Sequence, residues 1–211
     1  MQVIEWAQFL ENGLPLGQKY SSVTIGVFDG VHKGHQSLIK RIVSYNAAYA
    51  PVVITFRKAD LFSNKSTDSL MSFQQKAAML ESLGVEILLV IDFTDSFRRM
   101  SGKAFLEILH KHGNIGFFAV GGNFRCGYGQ DTDAQGAKEF FALRNIPAEV
   151  VPEVAEGPLP ISSSRIRSAI ANGDLPLAEA MLGHALPAGG LRGAILGGVI
   201  ADVPLIFTIQ E

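Results

Sequence analysis

A single cysteine, Cys126, stands among 211 residues, so no intramolecular disulfide can form. The same scarcity removes the thiolate-rich zinc sites. No block of five or more like charges occurs and the formal net charge is −2, so the broad basic footprint that nucleic acid demands is missing. No apolar run approaches the roughly 18 to 20 uninterrupted residues that cross a bilayer. The Gly-rich apolar stretch Ala188 to Ile209 is broken by Arg192, Asp202 and Pro204. The N-terminal MQVIEWAQFLENG has no basic segment leading into an apolar run, so no secretory leader is read there. These absences imply a cytoplasmic protein of small-molecule chemistry, with neither nucleic acid nor membrane among its partners and an oligomeric state the sequence leaves open.

What is present is enough apolar material, 47% of the chain, for one sizeable core. Short continuous apolar runs at Val23–Phe28, Val52–Phe56, Ile87–Ile91 and Phe117–Gly121 read as strands buried on both faces, and Pro147–Val151 as a fifth. Between them Gln36–Tyr49, Phe73–Leu83, Lys103–His112 and Ala134–Asn145 carry helical spacing, with Gly84 and Gly113 as stops. The fold class is therefore α/β, a Rossmann-like doubly wound parallel sheet of about five strands. Residues 1–184 form one domain and 185–211 a short tail read as two strands. In such a sheet ligands sit beyond the carboxyl ends of the strands, where His32, Thr55 and Asn123 all fall.

The string His32-Lys33-Gly34-His35 follows the first apolar run and opens an amphipathic stretch. That is a strand running into a helix whose first turn can meet phosphate. Two imidazoles three positions apart share one helix face, and Gly34 removes the Cβ that would hold a triphosphate off the backbone. Paired histidines also arise as metal ligands or polar surface. A zinc site lacks company, because Cys126 is the only thiol and His110, His112 and His184 fall outside any ligand spacing. No protein-held metal is expected. Far downstream, Ile161-Ser162-Ser163-Ser164-Arg165-Ile166-Arg167 leads into another helical segment. Alone it reads as a serine cap with a solvated arginine; beside the histidine string its hydroxyls, N–H groups and arginines suit phosphate oxygens.

The two motifs together resemble the H-x-G-H and I-S-S-T-x-x-R signatures of the nucleotidyltransferase superfamily. Thr24 to His32 (TIGVFDGVH), Lys76 to Val90 (KAAMLESLGVEILLV), Val120 to Gly127 (VGGNFRCG) and Ile161 to Gly183 narrow the resemblance. They are similar, in the same order, to the FMN adenylyltransferase module of bacterial bifunctional riboflavin kinase/FAD synthetases. Two departures stand out. Where the family shows T-F-x-P-H-P, a stretch associated with the flavin, this chain has Thr55-Phe56-Arg57-Lys58-Ala59-Asp60, and the 28 residues after Gly183 are too few for the kinase barrel. A kinase activity is expected to be absent.

The resemblance implies transfer of AMP from ATP to FMN with release of pyrophosphate, magnesium arriving with ATP. His32 and His35 would contact the triphosphate, and Ser163, Ser164 and Arg167 would hold its β and γ oxygens. Gly26, Phe28, Asp29, Gly30, Gly34, Ser162 and Arg165 would surround the nucleotide, Arg165 either joining Arg167 or facing solvent. Thr55, Phe56, Asn123, Phe124 and Arg125 would meet the flavin. Arg57 and Lys58 could attract a phosphorylated substrate in place of the missing prolines. Cys126 reads as a small buried hydrophobe. Alternatives are a different phosphorylated acceptor, or a nucleotide- or flavin-binding protein without turnover.

Overall fold

The computed structural model describes residues 1–57 and 69–186. Lys58, Ala59 and Asp60 of the altered segment, and the tail from residue 187 onward with its expected strands, lie outside the described residues. In chain order the elements are β1 (Gln2–Glu5), α1 (Trp6–Asn12), β2 (Ser21–Ile25), α2 (Lys33–Ser44), β3 (Ala50–Arg57), α3 (Phe73–Ser82), β4 (Ile87–Asp92), α4 (Asp95–Arg98), α5 (Gly102–His112) and β5 (Ile115–Gly121). Then follow β6 (Arg125–Cys126), β7 (Thr132–Asp133), α6 (Ala134–Ala142), β8 (Ala148–Val151), β9 (Ala155–Glu156), β10 (Leu159–Pro160), α7 (Ser163–Ala171) and α8 (Leu175–Leu182).

Six strands form one sheet in the order β1-β4-β3-β2-β5-β8, every neighbouring pair parallel. The expected doubly wound sheet is there with one strand more than the five read from sequence. The extra strand, β1, is four residues long at a sheet edge with two exposed positions, too short for an apolar run to betray it. Alternate side chains of the central strands enter different cores. Val52, Ile54, Leu89, Phe118 and Val120 pack with α1, α5 and α6, while Val53, Leu88, Val90, Phe117 and Ala119 pack with α2 and α3. Burial on both faces is why these strands carry continuous rather than alternating apolar runs.

Helix boundaries moved where a cap overrode periodicity. Helix α2 starts at Lys33 rather than Gln36 because the His32 side chain caps it, and it ends at Ser44. Helix α6 stops at Ala142, before Asn145, whose φ of 58° is left-handed. Helices α1 and α4 span only seven and four residues, too short for a helical period to declare itself.

Strand β2 is flanked by β3 on one side and β5 on the other, so successive connections leave it in opposite directions. This switch point opens a crevice beyond the carboxyl ends of β2 and β5. A third cluster, Leu70, Ile161, Ile166, Ile170, Met181 and Leu182, packs α7 and α8 beside that edge.

Candidate active site

The chain leaves β2 through a strained turn. Phe28 (φ 54°), Gly30 (φ 77°) and Val31 (φ 40°) are all left-handed. A β-branched residue such as Val31 in that region is an outlier that only surrounding structure can hold. A Cβ at Gly26 would sit 2.8 Å from the Phe28 ring, so glycine lets the buried ring fold back over the chain. That ring meets His35 edge-on, centroids 5.1 Å apart.

His32 is the N-cap of α2. Its Nδ1 accepts from the His35 backbone N–H at 3.3 Å, and the two imidazoles stack with centroids 3.6 Å apart and planes 16° from parallel. An Nδ1 that accepts cannot carry a proton, so the His32 proton sits on Nε2. Burial pushes the His32 pKa down to about 4 against the backbone hydrogen bond, which acts upward. His35 is held well below the usual imidazole value by burial first, then by His32 and Lys76. Its Nδ1 is enclosed without a hydrogen-bond partner among the described residues. Both rings are neutral near pH 7. A Cβ at Gly34 would come within 3.1 Å of the His32 ring, so besides any approach of phosphate this glycine makes room for the stacked pair.

Asp29, 5% exposed, joins the two motifs. Its Oδ1 accepts from the Leu70 N–H at 2.9 Å and from Ser69 Oγ at 3.0 Å; its Oδ2 accepts from Arg167 Nη1 at 2.9 Å. The Asp29 carbonyl accepts from Ser163 Oγ at 2.8 Å, and Arg167 Nη2 donates to Ser164 Oγ at 3.1 Å. Ser162 caps α7 by accepting from the Arg165 N–H. Ser163 is thus wholly buried as a tie between α7 and the turn. Arg165, half-buried, turns away from Arg167: its guanidinium donates to the carbonyls of Glu156, Leu159 and Pro160 and pins the β9–β10 hairpin. At the far side of the turn, His184 Nε2 lies 2.9 Å from the Gly30 carbonyl, and Gln36 donates to those of Val31 and Leu182.

An open cleft lies at the switch point, where ligands of doubly wound sheets sit. Gly26, Phe28, His32, Gly34, His35, Asn123 and Phe124 line it. Thr55, Phe56 and Arg125 do not, and neither do Asp29, Gly30, Ser162, Ser163, Ser164, Arg165 or Arg167. Thr55 Oγ1 is buried beneath the turn and donates to the Val27 carbonyl at 3.1 Å. Phe56 packs against Phe93 and Phe97, and Arg125 donates to the Phe124 carbonyl. Arg57 is already paired with Glu5 at 2.6 Å and Asp92 at 3.2 Å. Cys126 is buried, its thiol pushed up to about 12 by desolvation and then by Asp131. Sequence reading passed over the loop Val151 to Val154, which also lines the cleft, and Lys76, buried beneath the turn. The loop has no motif; Lys76 had a signal, a charge falling on the same helix stripe as buried Leu80.

A family model described as FAD synthetase matches residues 15–165. The bifunctional riboflavin kinase/FMN adenylyltransferase of Escherichia coli (strain K12) is 32% identical over 201 residues, covering 87% of this chain and 62% of its own length. That of Bacillus subtilis (strain 168) is 28% identical over 209 residues, covering 89% and 63%. This chain therefore spans less than two thirds of either relative. A FAD synthetase of Listeria monocytogenes is 29% identical over 167 residues, covering 77% of this chain and 68% of its own length. Among solved structures, one titled a macrolide-efflux protein from Streptococcus pneumoniae superposes with a TM-score of 0.75 at 27% identity, over 88% of this chain and 61% of that one. A pantothenate synthetase from Thermus thermophilus, with a TM-score of 0.50 at 15% identity, over 86% of this chain and 82% of that one, shares the fold alone. With a family model matched across most of its length, around the very turn, cleft and histidine pair described above, the chain belongs to the FAD synthetase family.

Proposed function

We propose that this chain transfers the adenylyl group of ATP to the phosphate of FMN, forming FAD and pyrophosphate. The observation that carries the reading is the neutral, stacked His32–His35 pair lining the switch-point cleft, at the end of a turn whose Asp29 is gripped by Arg167. An FMN phosphate oxygen attacks the α-phosphorus in line, and the bond to the β-phosphate oxygen breaks with its electron pair leaving on pyrophosphate. The nucleophile is already ionised, so no protein base is needed. Catalysis is positioning plus neutralisation of charge on the phosphates. The Nε2–H of His32 donates to phosphate without the cost of burying an imidazolium. Arg167, held on Asp29 with 30% of its side chain exposed, supplies a full positive charge. Asn123 and Phe124 offer a polar group and an aromatic wall for the flavin end.

A divalent cation, magnesium in this proposal, supplies neutralisation of the triphosphate. Among the described residues no group of three His, Cys, Asp or Glu could hold a metal ion, and the Asp29 carboxylate is engaged by Arg167, Ser69 and the Leu70 N–H. That donor set fits an ion carried by phosphates and water. Residues 1–184 act as the nucleotidyltransferase domain.

Incubating the protein with ATP, FMN and magnesium and resolving products by chromatography tests the reading: FAD and pyrophosphate are expected in equal amounts. No FAD at millimolar substrates would overturn it. Pyrophosphate released instead with nicotinamide mononucleotide or phosphopantetheine would replace the acceptor.

A further inference from the structure

Beneath the strained turn lies a lysine that the proposed chemistry does not use. Lys76, on the inner face of α3, is 8% exposed. Its ammonium donates to the Val27 carbonyl at 3.0 Å and to Thr55 Oγ1 at 3.1 Å, while Thr55 Oγ1 itself donates to the same carbonyl at 3.1 Å. The carbonyl of Val27 is thus gripped from β3 and from α3 at once. It belongs to the peptide that enters the left-handed Phe28, and Phe28 is the ring on which His35 rests. Burying an ammonium is costly, and a lysine kept there must return something a methionine could not.

We propose that Lys76 is a positioning residue of the nucleotide site: its ammonium fixes the Val27 carbonyl, and through Phe28 the stacked histidine pair, in the geometry that meets the triphosphate. This deepens the reading of the cleft as an ATP site and rests on it. Among the described residues, the titratable groups that bear on His35 are His32, stacked against it at the cap of its helix, and Lys76, from α3. Lys76 therefore acts chiefly by holding the turn, and adds to the burial that disfavours a proton on His35.

The test compares the full-length parent with Lys76→Met, which keeps the length of the stem but loses charge and donors, and Thr55→Val, which removes the hydroxyl from the same trio. ATP affinity is read by calorimetry, FAD formation by steady-state kinetics, and the imidazole titration by NMR. In Lys76→Met, ATP affinity and turnover should fall by about 10- to 10²-fold, the scale of a small misplacement of reacting groups, with the KM for FMN little changed. The His35 ring should titrate at higher pH because a neighbouring positive charge is gone. A purely structural lysine would lower thermal stability without moving ATP affinity relative to the KM for FMN. A folded Lys76→Met with parental ATP affinity and turnover overturns the proposal. Should Lys76→Met fail to fold, Thr55→Val decides: weakened ATP affinity supports it, unchanged affinity overturns it. A parent that binds ATP but makes no FAD sinks the adenylyltransferase reading alone, while the ATP affinities still judge Lys76; a parent that does not bind ATP sinks both.

Discussion

Protonating the histidine pair should destabilise this protein, and the cost can be worked from His32. The ring is 5% exposed and its Nδ1 accepts the His35 N–H, so the native state resists the proton, with a pKa near 4 against 6.5 when unfolded. A histidine whose native pKa is depressed leaves stability intact above pH 6.5 and loses it as pH falls towards 4, because the unfolded chain binds the proton first. Linkage gives a loss of about 2 kcal/mol by pH 5 and about 3 kcal/mol by pH 4 from His32 alone. His35 acts in the same direction. Carboxylates titrate in the same window, so the informative quantity is the difference between the parent and His32→Asn, in which an asparagine preserves the cap and cannot charge. Urea denaturation at half-unit steps from pH 4 to 8 reads it. The variant should match the parent to within about 1 kcal/mol at pH 7.5 and unfold at urea concentrations about 1 M higher than the parent at pH 5. Parallel profiles for the two proteins would refute a neutral, proton-resistant His32.

Arg167→Ala should lower FAD formation by about 10² to 10³ through loss of a preorganised charge. It should also cost about 1 to 3 kcal/mol, because Asp29 keeps Ser69 and the Leu70 N–H but loses its cation; a folded variant with parental turnover would remove Arg167 from the site. Gly34→Ala separates stability from activity: alanine adds up to about 1 kcal/mol of helix propensity, while its methyl, 3.1 Å from the His32 ring, shifts that ring by tenths of an ångström. Turnover should fall with the melting temperature unchanged or raised, and parental turnover would mean the ring's placement is not critical. Cys126, its thiol pushed up to about 12, should react with a disulfide reagent at pH 8 only on unfolding, and rapid native labelling would contradict its burial.

Much of the site could be read because its devices are local. A capping histidine, a glycine two residues later and a second histidine are one turn of helix, and the continuous apolar strands announce a sheet covered on both faces. Roles within the second motif could not be read this way. Arg165 and Arg167 are two residues apart, so roughly 200° of helix rotation separates them. One grips a hairpin and the other a carboxylate from a turn more than a hundred residues earlier. Ser163 and Ser164 differ likewise, one buried against the Asp29 carbonyl and the other beside Arg167.

The sequence by itself determined the α/β class, the strand-to-helix turn with its paired imidazoles, and the serine cap of α7, because periodicity and capping are settled within a few residues. Tertiary structure alone decided that Asp29 would join the two motifs, that both histidines would lose their charge, and that Thr55 and Lys76 would brace the turn from below rather than face the cleft. Those outcomes depend on which groups meet across the sheet and how deeply they are buried, and desolvation and partner distance are properties of the packed chain.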